Sequence, residues 1–228
     1  MKEEQTNYIG VYQKRKGGRR IFYTKSFAPG KDVYGETTFK INNIEYREWD
    51  AHKSKLSSAM LKGISQTGIK EDSVVLYLGA ASGTTVSHIS DILGDKGFIF
   101  ALDFAPRVVR DLVFVCEDRK NIAPILADAN KPESYVKNVS QADIIYQDIA
   151  QKNQVDIFLK NCDLFLKKDG IAMLCIKARS INVAENPKKI FNEVRDELRK
   201  RIKILAYCEL FPFQKDHCFF VCKKERFK

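Results

Sequence analysis

Four side chains in this sequence are suited to act on a hydroxyl: Lys55, Asp148, Lys177 and His217. Asp148 and Lys177 close the apolar runs Ala142–Gln147 and Gly170–Ile176, which read as neighbouring strands, so both can reach one crevice. A lysine ammonium beside a carboxylate lowers the pKa of a substrate hydroxyl and orients it, which suits attack by a sugar oxygen. The plain alternative is a strand-end ion pair, which contributes little when exposed. Lys177 follows Cys175-Ile176 on an otherwise apolar strand, which favours the chemical reading. His217 opens the last β-prone run; a lone histidine is by itself more in keeping with a structural role.

A second set of residues points to the ligand beside that hydroxyl. The run Val74–Leu78 leads into Gly79-Ala80-Ala81-Ser82-Gly83-Thr84-Thr85, small residues that let backbone approach a ligand closely. Alone this is a weak signal, since a strand–helix turn needs small residues for packing in any case. No Gly-Lys-Ser/Thr follows, so it is not a phosphate-binding P-loop. Ala81 also replaces the glycine that a dinucleotide turn places against pyrophosphate. Asp103 lies about 20 residues beyond the turn, where an acid hydrogen-bonds the ribose hydroxyls of an adenosine moiety. Asp128, at the next strand end, can accept from an adenine amino group, and Phe104 offers a flat surface for the base. One such acid is commonly a helix cap; Asp103, Asp128 and Asp148 on successive strands favour an adenosine site.

The elements that must position these residues alternate strand and helix. The predicted strands are Val74–Leu78, Phe98–Leu102, Ile122–Ala127, Ala142–Gln147 and Gly170–Ile176, each ending in a polar or charged residue. Helices are predicted over Ser54–Leu61 with Ser54 as N-cap, Thr84–Leu93, Arg107–Cys116 with Val108, Leu112 and Val115 inward, Pro132–Val139, Val155–Leu166 and Pro187–Arg201. Pro124 lacks a ladder donor and argues for a position near a sheet edge or a strand beginning. Ile202–Leu210 and Cys218–Cys222 are separated too briefly for a helical crossover and read as an antiparallel pair. The result is an α/β fold with a doubly wound, mostly parallel seven-stranded sheet. Residues 1–52 differ: Tyr8–Tyr12, Arg20–Thr24 and Thr38–Ile41 are β-prone, and Asn42-Asn43 reads as a hairpin turn before Ile44–Arg47. They form a small antiparallel β domain, and 53–228 form the main domain. The basic group Lys14, Arg15, Lys16, Arg19 and Arg20 can contact phosphate, but it suits a solvated edge that blocks strand pairing better.

At 228 residues, 44% hydrophobic and 30% charged, the composition is that of an ordinary globular protein. No apolar run approaches the ~20 residues of a membrane span and the N-terminus is not a secretion signal, so a cytoplasmic location is expected. Six scattered cysteines without a C-x-x-C pair read as reduced thiols, and with three dispersed histidines they offer no metal site. The net charge of +10 suggests a polyanionic partner.

The runs Tyr46-Arg47-Glu48-Trp49, Ser54-Lys55-Leu56, Leu76–His88, Asp148-Ile149-Ala150-Gln151 and Ile176-Lys177-Ala178 together resemble fibrillarin. The likeness covers nearly the whole chain, and Gly79-Ala-Ala-Ser-Gly-Thr-Thr-Val-Ser-His88 is its most specific part. Without a Gly/Arg-rich N-terminal tail, the chain resembles the short archaeal form. The resemblance implies a Rossmann-like class I methyltransferase fold and S-adenosyl-L-methionine-dependent 2′-O-methylation of rRNA or tRNA ribose, directed by box C/D guide RNA. It implies a Nop-type scaffold protein and a kink-turn-binding eL8-like protein as partners, and no metal.

Carried over by motif, the cofactor pocket comprises Tyr77, Gly79 and Ala81; Thr84 and Thr85 on the methionine side; Asp103 and Phe104 at ribose and adenine; Asp128 and Ala129 at adenine; and Asp148, Ile149, Ala150 and Gln151. The Lys-Asp-Lys set of ribose methyltransferases falls on Lys55, Asp148 and Lys177, with His217 at a fourth place. In that scheme Lys177 lowers the hydroxyl pKa, Asp148 orients Lys177 or takes the proton, and Lys55 and His217 fix the nucleotide. Asp103 stands where many relatives carry Glu, and Trp49-Asp50-Ala51-His52-Lys53 departs from the usual Trp-Asn-Pro-x-Arg. Two other readings compete: a non-catalytic methyltransferase-like RNA-binding subunit, which the acids and Lys177 argue against, and a nicotinamide-dependent oxidoreductase, which Ala81 and the closing hairpin argue against.

Overall fold

The computed structural model describes residues 4–225. Five N-terminal strands, β1 (Glu4–Gln5), β2 (Val11–Lys16), β3 (Arg19–Lys25), β4 (Thr38–Ile41) and β5 (Ile44–Trp49), form an antiparallel sheet in the order β1-β2-β3-β5-β4. Asn42 and Asn43 turn the β4–β5 hairpin with φ of 49° and 64°, the paired left-handed conformation that suits the right-handed twist of the flanking strands. The Tyr8–Tyr12 run is not one strand: Val11 donates back to the Tyr8 carbonyl across a turn, and β2 starts at Val11. The basic residues of β2 pair with β3, Lys14 opposite Ile21 and Arg15 opposite Arg20, while β1 reaches only Tyr12 and Gln13 on the other side. Lys14 is not solvated: it is ion-paired with Glu48 and lies 4.0 Å from the centre of the Phe39 ring.

The remainder comprises α1 (Lys55–Leu61), β6 (Val74–Leu78), α2 (Thr84–Leu93), β7 (Phe98–Asp103), α3 (Pro106–Glu117), β8 (Ile122–Leu126), β9 (Ala142–Gln147), α4 (Gln154–Phe165), β10 (Leu166–Lys177), α5 (Ala178–Ile181), α6 (Pro187–Arg199), β11 (Lys203–Glu209) and β12 (His217–Lys223). They build a seven-stranded sheet in the order β11-β12-β10-β9-β6-β7-β8, with β12 antiparallel to both neighbours and the other pairs parallel. Pro124 sits on β8, an edge strand, where its missing N–H costs no ladder bond. Three local expectations are corrected. Pro132–Tyr135 is one 3-10 turn rather than a helix to Val139. The segment between the predicted helix ending at Leu166 and the predicted strand starting at Gly170 is part of β10, with a register break against β9 between Leu166 and Ile171. On α3 the residues that reach the core are Val109 and Leu112, with Val108 and Val115 half-buried at the rims.

Alternate strand residues divide between two cores, as the period of two requires. Leu76, Leu78, Ile145, Leu174 and Ile176 face Phe158 of α4 and Phe191 and Leu198 of α6. Val75, Tyr77, Ile144, Tyr146, Met173 and Cys175 face Leu56 and Met60 of α1, Val86 and Ile89 of α2, and Phe22 and Trp49 of the N-terminal sheet. A buried ionic junction welds that sheet to α2. Asp91 accepts from Arg47 at 2.8 Å, Arg119 at 2.6 Å and Thr24 at 2.6 Å. Arg47 also donates to Glu36 at 2.6 Å and to Ser87 at 2.9 Å. His88 stacks on Trp49 with ring centres 4.8 Å apart.

Candidate functional site

The turn after β6 is held by Gly79 and Ala80, whose N–H groups donate to the Leu102 carbonyl at 2.9 and 3.0 Å. Gly79 has φ +84°, and a Cβ there would lie 2.3 Å from the Asp148 carbonyl oxygen. Only glycine lets the ends of β6 and β9 come this close. Ala81 is itself left-handed at φ 48°, and its N–H donates to Asp103 Oδ2 at 3.0 Å. Asp103 Oδ1 accepts from Ala105 N–H at 3.1 Å, so the carboxylate is fixed while both oxygens keep a lone pair for a ligand. Gly83 begins α2 without a side-chain cap, which leaves first-turn N–H groups free of an internal partner.

Around this turn, Phe104 is 64% exposed, Asp128 Oδ1 takes the Asn130 N–H at 2.9 Å, and Ala129 is buried beneath. Ile149 packs close to Gly79, and Ala150 is exposed beside half-buried Gln151. Thr84 is half-buried at the start of α2. Thr85 and Tyr77 lie behind the crevice: Tyr77 is only 2% exposed, and Thr85 turns inward to donate to Ser54 Oγ at 2.9 Å.

Asp148, fixed through its own N–H to the Leu78 carbonyl at 2.9 Å, meets Lys55 Nζ with Oδ2 at 2.8 Å. Its ion-pair partner is therefore Lys55, which corrects the expected Asp148–Lys177 pair. The reason lies in register: Leu174 opposite Gln147 sets Cys175 level with Asp148. Lys177 then lies two residues, roughly 6–7 Å, farther along β10 on the same face. Lys177 is exposed and makes no ion pair among the described residues. Its peptide is clamped by the buried Gln154 side chain, which accepts from Lys177 N–H at 3.1 Å and donates to its carbonyl at 3.3 Å.

Burial of Lys55 works to lower its pKa, but the facing Asp148 charge outweighs this and raises it, so the ammonium form persists. His217 sits opposite Lys177 across β10 and β12. Burial lowers its pKa, and the Lys55 and Lys177 charges lower it further against opposing pulls from the Lys215 carbonyl and Asp148. Its Nδ1–H donates to the Lys215 carbonyl at 2.6 Å, which leaves Nε2 of the neutral ring as an acceptor.

The fold thus brings Lys55, Asp148, Lys177 and His217 to one end of the sheet. Sequence reasoning missed the ties between their loops. Arg179 Nε donates to Asp216 at 3.0 Å, and Gln214 donates to the His52 carbonyl at 2.6 Å. The loop before His217 is thereby fastened both to the segment after Lys177 and to the segment before Lys55. Arg179 sits on the short α5, which starts directly after Lys177.

Residues 2–226 match the family model described as Fibrillarin. The chain is 49% identical over 205 residues to a Methanocaldococcus jannaschii protein named fibrillarin-like rRNA/tRNA 2′-O-methyltransferase, covering 90% of this chain and 89% of that one. A crystal structure of Aeropyrum pernix fibrillarin with natively bound S-adenosyl-L-methionine superimposes with a TM-score of 0.89 at 42% identity, covering 97% of this chain and 98% of that chain. A chain of a fibrillarin/Nop5p complex gives a TM-score of 0.83 at 41% identity, covering 91% and 94%.

Proposed function

The chain belongs to the fibrillarin family, and from that premise we propose that it is an S-adenosyl-L-methionine-dependent RNA ribose 2′-O-methyltransferase, the catalytic subunit of a box C/D guide ribonucleoprotein acting on rRNA and tRNA. The observation that carries the reading is the Lys55–Asp148 pair, 2.8 Å apart, on the crevice that Asp103 and Phe104 also border.

The residues present fit the cofactor. Asp103 keeps lone pairs for a ribose diol, Phe104 exposes a face for adenine, and the first turn of α2, without a side-chain cap, would offer its N–H groups to the methionine end. When bound, S-adenosyl-L-methionine supplies a methyl group already activated by its sulfonium. The protein's share is positioning and charge. Lys55 pins Asp148 through Oδ2, and no described residue donates to Oδ1, which is left to accept the 2′-hydroxyl proton. The unpaired Lys177 ammonium stabilises negative charge growing on the 2′ oxygen. His217 Nε2 accepts from a neighbouring nucleotide hydroxyl.

A Nop-type scaffold protein and RNA are its partners. The finer composition, with a box C/D guide RNA and a kink-turn-binding eL8-like protein, and a cytoplasmic location belong to the same proposal and rest on the resemblance. No described helix is long and apolar enough to cross a membrane. The test is transfer of labelled methyl to target RNA in a complex reconstituted with guide and scaffold. Wild type methylates the guided ribose, and Lys177→Ala falls by about 100-fold, the lower range for removing one group that stabilises developing negative charge. An unmethylated target with wild type sinks the reading; full activity of Lys177→Ala sinks that residue's role alone.

A further inference from the structure

Behind the reacting side chains runs a line of buried polar groups that the mechanism above does not use. Ser54 caps α1, and Thr85 Oγ1 donates to its hydroxyl at 2.9 Å. The Tyr77 and Tyr146 rings stack with centres 4.4 Å apart, opposite each other on β6 and β9. The Tyr146 hydroxyl then meets Cys175 Sγ at 3.1 Å. All five residues are 7% exposed or less.

Buried hydroxyls need partners wherever they occur, so satisfaction alone assigns no role. Position does. Ser54 immediately precedes Lys55, and Thr85 immediately follows Thr84. Tyr77, Tyr146 and Cys175 each stand two residues before Gly79, Asp148 and Lys177, on the same face of their strands. These residues therefore span five elements, the start of α1, the first turn of α2 and the ends of β6, β9 and β10, one step below the residues that face substrate or cofactor.

Burial pushes Tyr77 and Tyr146, and likewise the Cys175 thiol, well above their ordinary values, so all three stay protonated and uncharged at any working pH. Such a line transfers no net charge. It fixes geometry, and each bond broken inside the protein leaves an unsatisfied group.

We propose that the stacked and hydrogen-bonded set Tyr77, Tyr146 and Cys175, together with the Thr85–Ser54 bond, forms a positioning relay that holds Lys55, Asp148 and Lys177 in mutual register for ribose methylation. This rests on the reading of the site given above. Two measurements test it: single-turnover methyl transfer in the reconstituted guide complex at saturating S-adenosyl-L-methionine, and NMR titration of Lys55 through its labelled Cε, which needs no turnover. Tyr146→Phe and Cys175→Ala are expected to slow transfer roughly tenfold, a fraction of the ~100-fold that an ångström of misplacement costs. Cofactor Kd should stay within twofold, and the Lys55 midpoint should fall toward the ordinary lysine value. Cys175→Ser, which keeps a donor and an acceptor, should restore both rate and midpoint. A purely structural role would instead move thermal stability and cofactor Kd together with the rate. The relay is overturned if Tyr146→Phe and Cys175→Ala keep the wild-type rate and midpoint, or if Cys175→Ser is as impaired as Cys175→Ala. If the wild-type complex transfers no methyl, the function reading fails, and the Lys55 titration still decides the relay.

Discussion

Replacing Gly79 with alanine puts one methyl group where the fold has no room for it. The added Cβ would stand 2.3 Å from the Asp148 carbonyl oxygen, 2.9 Å from its carbonyl carbon and 3.1 Å from Ile149 Cγ1. The first two neighbours are backbone and cannot rotate away, so the ends of β6 and β9 must part by roughly 1 Å to reach ordinary contact. At φ +84° the alanine also pays about 1 kcal/mol of left-handed strain. Parting the strands weakens the 2.9 Å bond from Asp148 N–H to the Leu78 carbonyl, worth about 1 kcal/mol. Gly79→Ala should therefore cost about 2–3 kcal/mol, a drop in Tm of roughly 5–10 °C for a chain of this size. The larger effect is on the chemistry. Asp148 is displaced against Lys55, and an ångström of misplacement at a reacting group costs about 100-fold in rate. Circular dichroism melting and single-turnover methylation read the two effects separately. A Tm within a degree of wild type together with a rate within twofold would refute the reasoning that this glycine sets the Asp148 position.

Three further outcomes are expected. Asp91→Asn leaves Arg47 and Arg119 facing a neutral amide in a buried junction and should cost about 3–5 kcal/mol in urea unfolding, far more than a surface aspartate. His88 is held well below its ordinary pKa by burial and by the charges of Arg47 and Arg119. The unfolded chain thus takes up that proton first, so stability is full above pH ~6.5 and declines below it by up to ~1.4 kcal/mol per pH unit. For Glu36, burial works to raise the pKa, but Arg47 and backbone N–H groups outweigh it. Its contribution is present above the ordinary carboxylate range and is lost as pH falls through the depressed value, adding a second acid decline; unfolding free energies across a pH series would show both, and a flat profile would contradict them. Phe104→Ala should weaken S-adenosyl-L-methionine binding about tenfold in calorimetric titration, the range of a base–aromatic stack, while leaving Tm unchanged because the ring is exposed.

Local grammar made much of the fold readable. Asn42-Asn43 declares a hairpin because both residues tolerate left-handed backbone, and Pro124, lacking a donor, narrows its strand to an edge or a beginning, the edge being what the sheet shows. Ser54 shows in sequence as a cap, which the bond from Ser57 N–H bears out. The strand ends carrying Asp103, Asp128, Asp148 and Lys177 were likewise legible from apolar runs stopping at polar residues. What could not be read was anything fixed by register or by distant charge. The choice of Lys55 over Lys177 as partner to Asp148 depends on a two-residue offset along β10, which neither sequence run reveals. Arg47, Asp91 and Arg119 lie in separate elements and look like ordinary surface charges until the N-terminal sheet closes over α2. Tyr77 reads as a pocket residue by motif, yet the strand's two-residue period turns it into the core behind the crevice.

The strand order carries a consequence for synthesis. β12 follows β11 in the chain but inserts between β11 and β10. Until it has left the ribosome, β10 presents Ala172–Ile176 as an open apolar edge, and β11 has no strand to join. His217 and the Asp216 anchor for Arg179 arrive on that same late segment. A nascent chain therefore completes its sheet and its reacting centre in one closing event, and for that interval an unpaired hydrophobic strand is exposed to aggregation or chaperone capture.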